Sequence, residues 1–359
     1  MRGINPDEMA LLLFGKDEFL ERLVYFFSKA GMEQCILEME CKKFNNSELH
    51  VHVAGNIRRK NVYVVANFLG YNCEFDPNIG YMRLFIINDV CRRASAAEIN
   101  DILPFIPYLR QDRKDKPRVP ISAKLFANLT EHSGADRLVT VDMHVDQIQG
   151  FYDLPVDHFT ALPLFAEEFF EESLSSDEEN LFCVDFFSVK RPINPDEWII
   201  VATDAGAMKR ARDLKTLIYH KYKKKVDVAM LEKTRVKGEP EVHYLVGNVE
   251  GKNAIIVDDI VDTAGTLIRG LKKLRDHQVK DIYVCATHGI FSNNAEERLR
   301  ESGIRMIITD SIPRSREYLE DNRDWLKVRC LAPLLAKGIT RIQKGESVSE
   351  LFHDLNRDR

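Results

Sequence analysis

No apolar run in this chain approaches the ~18 residues a membrane-spanning helix needs, so no such span is expected. Cysteine is scarce and scattered. None of the seven (Cys35, Cys41, Cys73, Cys91, Cys183, Cys285, Cys330) forms a C-x-x-C pair, and their number is odd. That pattern argues against a zinc site or a disulfide framework and fits a reducing compartment. Basic excess is also missing: 51 Lys and Arg face 56 Asp and Glu, for a net charge of −5. A dedicated nucleic-acid binder would carry a basic face, so nucleic acid is not an expected partner. The opening residues, MRGINPDEMALLLFGKDEF, hold only a short apolar stretch interrupted by acids, which does not read as a secretory leader. No short-period repeat is visible. The expectation is a cytoplasmic protein without membrane association.

The 359 residues suffice for two domains. Short apolar runs alternate with helical spacing: Val62–Ala66, Leu138–Val141, Trp198–Ala202, Ala254–Val257, Ile282–Ala286 and Met306–Thr309. Continuous apolar strands separated by helices predict a parallel sheet covered on both faces. The acidic run Glu167–Glu179 (EEFFEESLSSDEE) reads as a helix end followed by a solvated surface loop.

The most informative stretch is NAIIVDDIVDTAGTLIRG, Asn253–Gly270. It predicts a strand ending in Asp258-Asp259, a loop, and a helix starting at about Thr266 or Leu267. In an open α/β sheet ligands bind at the carboxyl ends of strands. A helix N-terminus offers unpaired N–H groups to phosphate, and Gly265 allows close backbone approach. Thr263 and Thr266 add hydroxyls. Asp258 and Asp259 would repel phosphate; they suit sugar hydroxyls or a divalent cation. Phosphate at one end and a diol at the other describe a ribose 5-phosphate.

Three more stretches carry polar groups beside strands. RQDRKDKPRVPISAKL (Arg110–Leu125) clusters cations in a loop before a helix at Ser122, either as a charged surface or as a polyphosphate grip. DMHVDQIQGFYDLPVDH (Asp142–His158) places His144 just after a strand, where it reads as structural or as a ligand to metal or phosphate. TDAGAMKRAR (Thr203–Arg212) ends a strand in Asp204, which reads equally as a helix N-cap or as a ligand to Mg²⁺ or a ribose hydroxyl.

The string D-D-x-x-D-T-x-G-T resembles the phosphoribosyl-pyrophosphate (PRPP) motif of phosphoribosyltransferases. Together with the three stretches above and with ATHGIFS, TDSIP and GESVSELF, in this order along the chain, it resembles the ribose-phosphate pyrophosphokinase (PRPP synthetase) family. The resemblance implies an α/β fold of two phosphoribosyltransferase-type domains, each a mainly parallel sheet flanked by helices. Residues 1–163 would form the ATP-side domain, with tail 339–359 packing on it, and 164–338 the ribose 5-phosphate side. It implies Mg²⁺-dependent transfer of the pyrophosphoryl group of ATP to the 1-hydroxyl of ribose 5-phosphate, giving PRPP and AMP for nucleotide biosynthesis.

By the same resemblance, Asp258, Asp259, Asp262, Thr263, Ala264, Gly265 and Thr266 hold ribose 5-phosphate, and His144 and Asp204 are metal-associated. ATP falls to Arg110, Gln111, Asp115, His144 and the loop FNNSE, with Phe44, Asn46 and Glu48. That loop has Ser47 where the family's F-S-x-G-E has glycine. LEKTRVKGEPEV matches the catalytic loop, with Lys233 and Arg235 stabilising charge on the transferring group. Dimers assembling to a hexamer are implied, as are phosphate and ADP effectors at a site including Arg58, Arg118, Ser347 and Ser349. The region 171–197 looks longer than is usual for the family. The alternatives are a non-catalytic regulatory subunit of such a complex and a transferase that consumes PRPP. The second explains the opening motif but not RQDRKD or the two-lobed length.

Overall fold

The computed structural model describes residues 4–15, 17–69, 76–171, 193–234, 242–352 and 355. In chain order it builds β1 (Met9–Phe14), α1 (Glu18–Lys29), β2 (Ile36–Leu37), β3 (Met39–Lys43), β4 (Leu49–Val53), β5 (Asn61–Ala66), α2 (Pro77–Arg93), β6 (Glu98–Leu103), α3 (Ser122–Ser133), β7 (Arg137–Val141) and β8 (Val156–Phe159). There follow α4 (Leu162–Phe170), β9 (Trp198–Ala202), α5 (Met208–Tyr222), β10 (Asp227–Thr234), β11 (Val242–Val246), β12 (Asn253–Val261), α6 (Gly265–Asp276), β13 (Ile282–Gly289), α7 (Ala295–Glu301), β14 (Arg305–Thr309), α8 (Arg316–Asp321), β15 (Leu326–Arg329) and α9 (Ala332–Gln343).

The chain divides into two compact units. The first comprises residues 1–160, 311–315 and 331–348; the second comprises 161–310, 316–330 and 349–359. The first centres on a six-stranded sheet, ordered β2-β1-β5-β6-β7-β8, in which every neighbouring pair is parallel. A separate antiparallel hairpin, β3–β4, joins it. The second centres on a seven-stranded sheet, ordered β11-β10-β9-β12-β13-β14-β15, parallel except for the β10–β11 edge pair. Strands β5, β9 and β13 are almost wholly buried, as expected where helices cover both faces.

The predicted strands recur with shifted ends. The largest shift is in β12, which does not stop at the two acids. It runs on to Val261, because the long β13 continues the ladder through Ile260↔His288 and Val261↔Gly289. Helix α6 accordingly begins at Gly265.

The solvated reading of Glu167–Glu179 fails for its first residues. Glu167 and Glu168 lie in α4, and the Glu168 side chain is 1% exposed. Its two oxygens meet Lys327 Nζ at 2.9 Å and Arg329 Nη1 at 3.0 Å. Arg329 also reaches Glu167 at 3.2 Å, and Lys221 of α5 reaches Glu167 at 2.9 Å. Charges cannot be left unpaired in a dry interior, so this network fixes α4 against β15 and α5.

In the first unit β6 buries polar groups. Asp101 is fully buried, accepts from Asn88 Nδ2 at 3.0 Å, and is pushed up to about 7 by loss of solvent. The same Asn88 amide nitrogen lies 2.9 Å from Ser133 Oγ, so α2, α3 and the sheet meet there.

Glu168→Ala strands the buried Lys327 and Arg329, and should cost about 3–5 kcal/mol of stability. Urea unfolding of the variant against wild type measures it; a loss below about 1 kcal/mol would show that the network is not needed.

Candidate active site

The residues of the Asp258–Thr266 string come together at the carboxyl end of β12, in the second unit. Asp259 is 7% exposed, while Asp258 keeps some exposed surface but is crowded by protein on most sides. The Asp259 N–H donates to Asp258 Oδ1 at 2.9 Å. Burial, and then the like charge of Asp259, push the Asp258 carboxyl up to about 8, against an opposing pull from Arg210. Burial and like charge thus disfavour two ionised carboxylates side by side, and a proton, a cation or hydroxyl donors would relieve the repulsion. Arg210 of α5 stands 3.7 Å from Asp259 Oδ1. Its position in KRAR was legible, but nothing in the sequence said that this cation of α5 faces β12.

After Val261 the chain turns sharply. Ala264 adopts a left-handed conformation, φ +57°, which costs a non-glycine residue about 1–2 kcal/mol. It is buried, and its carbonyl receives the Ile268 N–H at 2.9 Å. No side chain caps the start of α6, so its first-turn N–H groups are presented to an incoming anion. Strain held at such a turn marks functional sites. Two cations flank it: Arg269 Nη2 lies 3.4 Å from Thr266 Oγ1, and Arg298 Nη1 lies 3.5 Å from the Thr263 carbonyl.

Asp204 follows β9 in the same unit. Its Oδ1 accepts the Ala207 N–H at 2.9 Å, so one oxygen is committed to the turn before α5. The N-cap-like and ligand readings are compatible, since a carboxylate has a second oxygen. Lys233 lies in β10, opposite His243 of β11. Arg235 lies outside the described residues.

The other expected residues, Ser349 apart, occupy the first unit. Phe44, Asn46 and Glu48 form the tip of the β3–β4 hairpin. The Phe44 and Glu48 backbones close it at 2.8 Å, Asn46 Oδ1 accepts the Glu48 N–H at 3.2 Å, and Ser47 takes φ +73°. Phe44 is 52% exposed, with His50 edge-on to its ring. An exposed aromatic ring on a rigid tip suits a flat heterocycle. Arg110, Gln111 and Asp115 follow β6. Gln111, also exposed, accepts through its Oε1 from Ser122 Oγ at 2.5 Å and through its carbonyl from the Ala123 N–H at 3.3 Å. It organises the start of α3, leaving the exposed Arg110 and Asp115 facing solvent.

His144 follows β7, half-buried. Arg58 reaches Ser95 Oγ at 3.4 Å, Arg118 is exposed with φ +65°, and the Ser347 carbonyl accepts from Arg341 Nε at 2.6 Å. These three share no hydrogen bond, and Ser349 falls in the second unit. Among the described residues no three His, Cys, Asp or Glu side chains form a ready metal cage, and no helix is long and apolar enough to cross a membrane.

Known proteins resemble this chain in sequence and fold. A family model described as the N-terminal domain of ribose phosphate pyrophosphokinase matches residues 28–134, and one described as the phosphoribosyl synthetase-associated domain matches residues 219–353. The ribose-phosphate pyrophosphokinase of Caldanaerobacter subterraneus subsp. tengcongensis is 40% identical over 319 residues, covering 88% of this chain and 90% of that protein. That of Staphylococcus epidermidis is 39% identical over 315 residues, covering 87% and 88%. A crystal structure of phosphoribosylpyrophosphate synthetase from Mycobacterium smegmatis superposes with a TM-score of 0.75 at 30% identity, covering 94% of this chain and 99% of that one. Fold and strand-end site thus define an α/β protein of phosphoribosyltransferase type. Within that class, the chain belongs to the ribose-phosphate pyrophosphokinase family, whose members are enzymes.

The acid pair has a pH signature. With the folded Asp258 value raised from 3.8 to about 8, the native state binds more protons than the unfolded state across that window. The wild type therefore loses stability as pH rises through it, being most stable below the lower value with respect to this group. In Asp258→Asn the like-charge pair is gone. Its stability relative to wild type should climb between pH 5 and pH 8 and level off above about pH 9. Urea midpoints at several pH values test this; a constant difference would mean the carboxyl is not perturbed.

Proposed function

We propose that this enzyme transfers the pyrophosphoryl group of ATP to the 1-hydroxyl of ribose 5-phosphate, producing PRPP and AMP. The observation that carries the reading is the Asp258–Thr266 segment: two crowded carboxylates at a strand end, a strained turn, and an uncapped helix N-terminus. The amides of residues 262–266 bind the 5-phosphate, and Asp258 and Asp259 accept from ribose hydroxyls, which relieves their crowding. The 1-hydroxyl oxygen then attacks the β-phosphorus of ATP in line. The bond from that phosphorus to the α–β bridging oxygen breaks, AMP departs, and the hydroxyl proton is released.

The chain's donors fit Mg²⁺. This ion keeps several waters and takes only one or two carboxylates besides substrate phosphates, so no three-residue protein cage is needed. Asp204, whose Oδ1 accepts the Ala207 N–H, is the carboxylate that would hold it. His144 is the associated imidazole. Bound Mg²⁺ would neutralise phosphate charge and align the triphosphate. Lys233 and Arg235 stabilise charge that develops on the transferring group. Phe44, Asn46 and Glu48 take the adenine, and Arg110, Gln111 and Asp115 form the rest of the ATP side. We assign the first unit to ATP and the second to ribose 5-phosphate. Assembly of dimers into a hexamer, phosphate and ADP as effectors at Arg58, Arg118, Ser347 and Ser349, and residence in the cytoplasm belong to the same proposal.

Purified protein given ATP, ribose 5-phosphate and Mg²⁺ should form AMP and PRPP in equal amounts. Lys233→Ala should lower kcat about 10²–10³-fold, the usual loss when one transition-state charge partner is removed. Absence of product, with phosphate supplied and other nucleotide donors tried, would refute the catalytic reading and favour a regulatory subunit.

A further inference from the structure

The chain doubles back between β7 and His144, and the turn is pinned from β8. Asp142, a non-glycine residue, stands at φ +41° and is 6% exposed. Its N–H donates to the Phe159 carbonyl at 2.9 Å. The next N–H, of Met143, donates to Nε2 of His158 at 2.8 Å. Successive amides before His144 are thus held by successive residues of one strand. The strand end is itself fixed: α9 crosses β8 at Gly338, where any Cβ would run into the Phe159 ring. A backbone N–H can donate only to an unprotonated ring nitrogen, so Nε2 is the acceptor in this bond. The other ring nitrogen, Nδ1, lies 3.2 Å from Gln149 Nε2 and 3.7 Å from Asp146 Oδ1, both in the short turn following His144. One imidazole therefore contacts the backbone just before His144 and side chains just after it.

We infer that His158 is a positioning residue for the reaction: its imidazole bridges the two sides of the loop that carries His144 and sets where that side chain stands. The inference rests on the reading of His144 as a metal–nucleotide contact. Groups that orient a ligand side chain commonly change metal affinity by about 10–100-fold when removed.

The test uses the full chain and binding of the Mn²⁺·ATP complex by calorimetry, which needs no turnover. His158→Leu removes the acceptor at similar volume. His158→Gln keeps an oxygen acceptor near the Nε2 position. His158→Leu should weaken binding about 10-fold or more, with His158→Gln within a few-fold of wild type. Hydrogen–deuterium exchange in the segment 141–150 should speed up in His158→Leu only, with the rest of the chain unchanged, which separates a local effect from failure to fold. In a His144→Ala background, His158→Leu should add no further loss.

Wild-type binding and exchange in His158→Leu would overturn the inference, as would an equal loss with and without His144. If His144→Ala alone bound Mn²⁺·ATP like wild type, the reading of His144 would fall and this inference with it. Weak binding by His144→Ala beside normal binding by His158→Leu would remove only the inference.

Discussion

Two carboxylates side by side in a hydrogen-bonded strand are the constraint on which the second unit turns. Strand geometry sends neighbouring side chains to opposite faces, yet here one backbone N–H reaches across to its neighbour's carboxylate. Like charges at this spacing, partly withdrawn from water, cannot both ionise cheaply. Arg210 supplies some compensation from α5, and the remainder is left for a proton, a cation or hydroxyl donors. Hydroxyl donors beside the pair would relieve that repulsion. The uncapped start of α6 complements it, with a positive end close in sequence to a negative one.

Both units use one device. Parallel strands point their carboxyl ends the same way, so loops after β6, β7, β9 and β12 gather polar groups at one edge of each sheet. Rigidity comes from below. In the second unit the Glu168–Lys327–Arg329 network ties helix to edge strand. In the first, Asn88, Asp101 and Ser133 join the sheet to two helices. Distorted turns are then tolerated above these anchors, at Ala264 and at Asp142.

Much of this was readable from residue order. The apolar strands β5, β7, β9 and β14 were visible because burial on both faces leaves a continuous run. Strands β6 and β15 were not. β6 carries Asn100 and Asp101, and β15 carries Lys327 and Arg329, all buried. Pattern reading assigns such residues to water, and only their partners on other elements make burial affordable. The acidic Glu167–Glu168 pair was misread for the same reason. The candidate-site string of β12 and α6 was legible because its residues are contiguous. Arg210 and His158 were not legible as site residues, because each acts on a segment distant in sequence: Arg210 on the acids of β12, His158 on the Met143 amide.

The sequence alone determined the alternation of strand and helix and the run of acids, threonines and glycine over residues 258–266, since both depend on neighbours within a few positions. Tertiary structure decided which charges are buried, how far β12 runs past its acids, and which imidazole serves the backbone. Those outcomes depend on ladder pairing and on partners far along the chain, such as Lys327 for Glu168 and β13 for β12, and hydrogen bonds and desolvation act on what is near in space.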